Sequence, residues 1–314
     1  MILVTGGAGF IGSNLVHALN ARGRTDILVV DDMTDGRKFQ NLAGATVADY
    51  LDHEAFRRAL DVRSPWLADV ETLFHLGACS DTTEWNGRYM LDNNFQVSRE
   101  ILDACEAFGT PLVYASSAAV YGSHADCREA PACEQPLNVY GYSKLLFDQH
   151  LRQRLTRLAI PVTGLRYFNV YGPREHHKGR MASVVLHFNR QLIEHGEVRL
   201  FEGSHGLPDG EHLRDFVHVE DVVAMTIWAS EQRNFRGILN CGTGVAATFN
   251  AIANVILEWH GRGRLRYIPF PEDLRAAYQA HTRADMSSAR AAGCAVDFRG
   301  VAKGVRDYLD WLNR

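Results

Sequence analysis

The sequence predicts an α/β fold: a Rossmann-type doubly wound parallel sheet with a smaller C-terminal substrate-binding lobe. Three observations carry this. Short apolar runs without alternation recur through the first half of the chain. Helix-like stretches separate them. A glycine-rich turn, TGGAGFIG, joins the first apolar run to the first of those stretches. Strands that are apolar on both faces are covered on both faces, as parallel strands with helical crossovers are.

In chain order, strands are predicted at 2–4 (ILV), 27–30 (ILVV), 46–48 (TVA), 72–76 (TLFHL), 112–115 (LVYA) and 162–168 (VTGLRYF). Helices are predicted at 11–22, 53–60, 88–107 and 141–158. Beyond 168 the rhythm loosens. Helices are expected at 181–195, 219–231, 248–260 and 301–313, with short strands near 199–201, 215–217, 237–241 and 265–268. The run GSHGLPDG (203–210) reads as a surface loop. The expected division is a dinucleotide-binding Rossmann domain at 1–168, to which segments near 214–245 return, and a substrate-binding lobe at 169–314.

Composition narrows the function classes. The chain of 314 residues is 46% hydrophobic and 22% charged, enough for a sizeable core. A net charge of −4 asks for neither nucleic acid nor an anionic membrane. No apolar run approaches the ~18 residues of a membrane-spanning helix. The start, MILVTGGAGF, has no basic stretch before its apolar run, so no signal peptide is expected. The six cysteines form no CxxC and are expected as free thiols of a cytoplasmic protein. Cys127 and Cys133 lie close together, but spacing alone does not argue for a bridge.

The glycine-rich turn satisfies two overlapping patterns, GxGxxG from Gly7, Gly9 and Gly12, and GxxGxxG from Gly6, Gly9 and Gly12. In both, the backbone approaches a pyrophosphate closely and helix N–H groups hold it. Asp31 ends the second strand, where an acidic side chain binds a ribose hydroxyl and favours NAD. Arg37 and Lys38 follow, and a basic group there suits the 2′-phosphate of NADP. The residues alone leave both cofactors open. Asp49 is placed to accept from the adenine amino group.

NVYGYSK brings Tyr140 and Lys144 to one helix face at i, i+4. A free phenol, with a pKa near 10, is a poor base at neutral pH. A nearby ammonium and a nicotinamide cation would stabilise the phenolate. Tyr142 has no lysine four residues on. ASSAAVYG ends the fifth strand and puts Ser116 and Ser117 at the carboxyl edge of the sheet, where sites of such sheets lie. For Ser117, a hydroxyl to the reacting oxygen and a simple turn or cap serine are both open readings.

TGGAGFIG, FHLGACS, SSAAVYG, YGYSK, RYFNVYGPR and RDFVHVEDV together resemble the extended short-chain dehydrogenases/reductases over essentially the whole chain. Longer strings (GACSDTTEWNGRYMLDNN, PLNVYGYSK, RYFNVYGPREHHKG, MASV, LFEGS, IPFP) resemble the members that epimerise an ADP-heptose at C6. The resemblance implies NADP, with NAD possible, an ADP-heptose substrate, a step in lipopolysaccharide precursor synthesis, and a homo-oligomer, a pentamer. No nucleic-acid or membrane partner and no metal are expected. It implies Ser117, Tyr140, Lys144 and Lys178 as catalytic. It implies a cofactor site of Gly6, Gly9, Phe10, Ile11, Gly12, Asp31, Asp32, Lys38, His53, His75, Leu76, Gly77, Ala78, Cys79, Ser80, Asn93, Lys144, Val170 and Lys178. Substrate contacts are implied for Asn169, Arg180, His187, Phe201, Glu202, Gly203, Ser204, Arg214 and Tyr278. The chain departs from the family pattern at His53 (commonly Lys), Leu76 (often Glu), Arg180 (usually a small hydroxyl residue) and a longer loop at 205–212.

GPREHHKGRMAS (172–183) holds six ionisable groups between Arg174 and Arg180. Adjacent histidines present no metal geometry by themselves, and a nucleic-acid patch would want a more basic chain. By resemblance, Lys178 is the second acid/base of an epimerase. Arg174, His176, His177 and Arg180 are candidates to lower its pKa. The rival readings are a sugar-nucleotide 4-epimerase and, from another class, a nucleotide-sensing regulator. A 4,6-dehydratase is disfavoured because Ala118 and Ala119 follow Ser117, where elimination needs acidic partners.

Overall fold

The computed structural model describes residues 1–124, 126–272 and 278–314. The chain divides into two compact units. The first comprises 1–117, 138–166 and 223–239, and the second 118–137, 167–222 and 240–314. Residues 118–137 go with the second unit, and residues 223–239 go with the first.

A seven-stranded sheet organises the first unit, in the order β11-β6-β5-β4-β1-β2-β3. The strands are β1 (Ile2–Thr5), β2 (Ile27–Asp31), β3 (Asp49–Asp52), β4 (Thr72–His75), β5 (Leu112–Ser117), β6 (Val162–Tyr167) and β11 (Arg236–Cys241). β1 pairs in parallel with both β2 and β4. Strand order therefore runs outward from β1 in two directions, which opens a crevice at the carboxyl ends of β1 and β4. Every residue of β1, β2, β4 and β6 is buried, which is why these runs read as continuous apolar segments. β3 is the edge strand and is half exposed. Its residues are DYLD, not the apolar TVA before them; Leu28 pairs with Asp49, so the pairing starts three residues later than expected.

Helices α1 (Phe10–Ala21), α2 (Phe39–Leu42), α3 (His53–Asp61), α4 (Gly87–Met90), α5 (Val97–Phe108) and α6 (Val139–Arg154) belong to this unit. Leu3, Leu28, Ile101, Leu102, Leu112, Phe147 and Leu151 are among the side chains of its core. The single helix expected at 88–107 is three pieces, because a π-helical turn occupies Leu91–Gln96. The helix expected at 141–158 begins earlier, where Asn138 caps it by accepting from Gly141 N–H at 2.8 Å.

In the second unit, β7 (Asn169–Tyr171) pairs in parallel with β10 (Phe216–His218), and β8 (Glu197–Phe201) with β13 (Arg264–Ile268). β9 (Leu213–Arg214) and β12 (Ala247–Thr248) are antiparallel. Helices α7 (Val184–His195), α8 (Val219–Glu231, which starts here), α9 (Phe249–His260) and the helix Val301–Leu312 are as anticipated within a few residues. α7 starts at 184 rather than 181 because Ser183 caps it.

A methyl group at position 12 would lie 2.1 Å from the Gly6 carbonyl oxygen, whereas one at Gly36 would meet nothing within 4 Å. Gly12→Ala is expected to cost about 1–3 kcal/mol through overpacking, and Gly36→Ala almost nothing. Thermal denaturation of the two variants beside the parent chain checks this.

Candidate active site

The turn after β1 is built by glycines with different tasks. Gly6 sits at φ +66°, and a Cβ there would fall 2.6 Å from Gly77 N. Gly12 lets α1 pack on the turn. Gly9 is the N-cap of α1 and offers no side-chain cap to the N–H groups of the first turn. That cradle fits a dinucleotide pyrophosphate. Phe10 is buried and Ile11 half-buried beside it.

Asp31 is 6% exposed, and its two oxygens are already engaged. Ala8 N–H donates to Oδ2 at 2.8 Å and Lys38 Nζ to Oδ1 at 2.9 Å. Lys38 also donates to the Asp32 carbonyl at 2.8 Å. The simple picture of Asp31 as an open ribose acceptor is thereby altered: it also ties the turn to the Lys38 segment. Arg37 pairs with Asp35 at 2.8 Å. Asp32 is exposed, and a hydrogen bond from Thr34 holds its carboxyl below the ordinary value. His53 is exposed, 3.5 Å from Asp52. Asp49 is exposed and accepts from Tyr50 N–H.

The segment after β4 is held from below. His75 is buried between Thr5 Oγ1 (2.8 Å) and Ser98 Oγ (2.9 Å). Burial first, and then the Lys144 charge, push its pKa down to about 3, so the ring is neutral. Thr5 Oγ1 accepts from Gly77 N–H at 3.1 Å. Leu76 and Cys79 are half-buried, and Ala78 and Ser80 are exposed. Asn93 donates to the Tyr89 carbonyl at 2.9 Å. Its neighbour Asn94 had no role in the sequence reading, yet it organises this region. Asn94 is buried, accepts from Cys79 N–H (2.8 Å), and donates to the Cys79 carbonyl (2.9 Å) and Ser143 Oγ (3.0 Å). The signal available was a pair of asparagines, poor helix formers, inside a helical stretch. The π turn is where they sit, as such turns often mark functional sites.

Tyr140 lies in the first turn of α6 and Lys144 one turn on. Burial pushes the Tyr140 phenol above its ordinary value, and a hydrogen bond with Ser117 pulls it partly back. Ser117 thus meets the tyrosine, which favours the catalytic reading of that serine. Lys144 is 6% exposed and donates to the Ala115 carbonyl at 2.9 Å. Burial brings its pKa down to about 8, with Asp148 and then Cys79 opposing. Tyr142 is 47% exposed, whereas Lys144 is buried.

In the second unit, the charged segment is a closed turn. Gly172, Arg174 and Gly179 have φ of 141°, 72° and 53°. Glu175 is fully buried and ties the turn shut: Ser183 donates to it from N at 2.5 Å and from Oγ at 2.6 Å, and Gly172 N–H at 3.3 Å. One of the six charges is therefore architectural, which charge density alone did not distinguish. Lys178 is half-buried, and burial lowers its pKa from the ordinary value against the opposing charge of Glu175. Arg180 is exposed, and His187 Nε2 lies 3.3 Å from its carbonyl. Asn169 is exposed at the start of β7 and Val170 half-buried.

Arg214 is 7% exposed, with its guanidinium 4.8 Å from the Tyr278 ring centre and 5.7 Å from that of Phe249. It donates to the Leu213 carbonyl at 2.9 Å and bonds Tyr278. Burial lowers its pKa from the ordinary value. Among the described residues no salt bridge to a carboxylate involves it, so a structural ion pair does not explain it. The 205–212 loop folds over Ser204: His205 Nδ1 lies 2.9 Å and His212 Nε2 2.7 Å from the Ser204 hydroxyl. Phe201 contacts the Phe270 ring, and Glu202 and Gly203 are exposed. All six cysteines, Cys127 and Cys133 included, are free thiols. Among the described residues no three His, Cys, Asp or Glu side chains form a metal-binding group.

The chain as a whole is similar to known proteins. The NAD dependent epimerase/dehydratase family profile matches residues 2–242. An ADP-L-glycero-D-manno-heptose-6-epimerase of Alkalilimnicola ehrlichii is 58% identical over 310 residues, 99% of this chain and 97% of the relative. The crystal structure of the Helicobacter pylori ADP-L-glycero-D-manno-heptose-6-epimerase superposes with a TM-score of 0.86 at 32% identity, covering 99% and 96% of the two chains. A Thermus thermophilus UDP-glucose 4-epimerase in complex with NAD gives 0.79 at 28% identity, covering 99% and 98%. With a family match across most of its length, and with the glycine cradle and the Tyr140–Lys144 pair in place, the chain belongs to the NAD dependent epimerase/dehydratase family.

Proposed function

We propose that the chain epimerises C6 of ADP-D-glycero-D-manno-heptose to the L-glycero form. The observation that carries this is the near full-length identity to the Alkalilimnicola epimerase. The site chemistry supports it. When bound, the nicotinamide supplies the hydride acceptor and donor. Tyr140 takes the C6 hydroxyl proton as the hydride leaves, and Ser117 holds the same oxygen. Lys144 stabilises the phenolate by its charge. C6 lies outside the sugar ring, so rotation about C5–C6 presents the other face for hydride return and moves the oxygen. A single acid/base cannot reach both oxygen positions within about 3 Å. Lys178, whose pKa burial lowers, serves as the second. Arg214 binds the diphosphate, since a buried guanidinium with no carboxylate partner among the described residues suits bidentate phosphate recognition. For the cofactor we favour NADP over NAD, because Lys38 sits against Asp31 and engages one of its oxygens. The chain works as a homo-oligomer in the cytoplasm.

Incubation with ADP-D-glycero-D-manno-heptose, with NMR of the C6 configuration, is expected to show conversion; an unchanged substrate with cofactor bound overturns the assignment. Tyr140→Phe is expected to lower kcat about 10²–10⁴-fold. Lys178→Met should slow epimerisation comparably while single-turnover oxidation of one epimer survives; wild-type rates in both directions would remove Lys178 from the chemistry. Arg214→Gln should raise KM about 10–100-fold, the loss of a charged hydrogen bond, with kcat little changed. Lys38→Ala should lower NADP affinity relative to NAD by about tenfold, read by fluorescence titration of the two cofactors.

A further inference from the structure

Helix α6 carries a second charged residue on the Tyr140–Lys144 face. Asp148 stands one further turn on and is fully buried. Four donors converge on its carboxylate. Arg166 of β6, itself 0% exposed, donates to Oδ2 from Nε (2.9 Å) and Nη2 (2.8 Å). Ser116 Oγ donates to Oδ2 at 2.9 Å, and Tyr114 OH to Oδ1 at 2.8 Å. Tyr114 and Ser116 flank Ala115, whose carbonyl receives the Lys144 ammonium at 2.9 Å. The residue on either side of the lysine's acceptor is thus anchored to the same carboxylate.

We propose that Asp148 is a positioning residue for the reaction: by clamping β5 on both sides of Ala115 it fixes the acceptor of Lys144, and its charge keeps the buried Lys144 an ammonium beneath Tyr140. The inference rests on the assignment of Tyr140 and Lys144 to proton transfer. A carboxylate was not needed here for packing alone. A buried ion pair is seldom more stabilising than well-packed apolar residues of the same volume.

The other charged or titratable groups facing Lys144 are few. Tyr140 shares its helix. His75, neutral by burial, and Cys79 come from β4 and the segment after it. Tyr114 comes from β5, its phenol pushed well above the ordinary range by burial and then by Asp148. Arg166 comes from β6. Among the groups that act on Lys144, Asp148 makes the largest contribution in favour of the charged form. The clamp holds Lys144 in place and keeps it protonated.

The chain has only four lysines, Lys38, Lys144, Lys178 and Lys303, so each is resolvable by NMR in protein labelled with 13C at lysine Cε. The holoprotein is titrated as wild type, as Asp148→Asn, and as Asp148→Asn/Arg166→Gln. The double variant removes both charges and so avoids stranding a buried guanidinium if the single variant does not fold. Lys144→Met assigns the resonance. The wild-type Lys144 midpoint is expected near 8, and that of the folded double variant about one unit lower, with Lys38, Lys178 and Lys303 unmoved. The alkaline limb of kcat should move down in parallel. A Lys144 midpoint that stays in place, or moves only together with the other three, overturns the inference. If Tyr140→Phe is itself fully active, the underlying proton-transfer assignment fails instead, and the NMR midpoints still report on the clamp.

Discussion

The structure of the first unit depends on how β5 is held against α6. The carboxylate of Asp148 joins three elements at one buried point: α6 through its own backbone, β6 through Arg166, and β5 through Tyr114 and Ser116. Such a point is costly to desolvate, and it tolerates little displacement because each donor has one usable direction. The apolar contacts around it, Tyr114 on Phe147 at 4.7 Å among them, would allow sliding. The polar clamp does not. The residues of β5 and α6 proposed for proton transfer, Ser117, Tyr140 and Lys144 with its carbonyl acceptor, lie on the two elements joined at that node.

A second chain of polar contacts runs beneath the segment after β4. Gly77 N–H meets Thr5, Thr5 meets His75, His75 meets Ser98, and Ser98 donates to the Asn94 carbonyl. The Asn94 side chain then holds Cys79 and Ser143, and Ser143 donates to the Tyr140 carbonyl at 2.7 Å. The floor of the expected dinucleotide site and the helix bearing the proposed acid/base are thus one hydrogen-bonded structure. His75 can serve in it because burial keeps the ring neutral, one nitrogen donating and the other accepting. Asn94, which meets both Cys79 and Ser143, lies within the π turn at 91–96.

The second unit contributes groups of a different kind. Its charged turn depends on Glu175, buried and bonded to both polar groups of Ser183. In the same turn, burial lowers the pKa of Lys178 against the opposing charge of Glu175. Arg214 is the converse case, a buried cation whose visible partners are an aromatic face and a carbonyl. In both places burial acts on a charge, disfavouring the charged form of Lys178 and of Arg214.

Much was legible in the residues. Unalternated apolar runs, the glycine turn and the i, i+4 spacing of Tyr140 and Lys144 report local geometry, which a linear pattern encodes directly. The parallel sheet, the α1 cradle and the choice of Tyr140 over Tyr142 follow from them. Long shared strings placed the chain among sugar-nucleotide epimerases. Other features depended on which distant side chains meet. Strand β3 was misplaced by three residues because an edge strand need not be apolar. Asn94, Asp148 and Glu175 look like ordinary polar helix or loop residues in sequence. Their roles exist only because folding brings Cys79 and Ser143 to Asn94, β5 and β6 to Asp148, and Ser183 to Glu175, each within about 3 Å. The sequence by itself determined the layers and the chemistry-bearing types; only the tertiary structure decided which charges are neutralised inside the protein and which remain for a ligand, because burial and partner distance are properties of the folded chain.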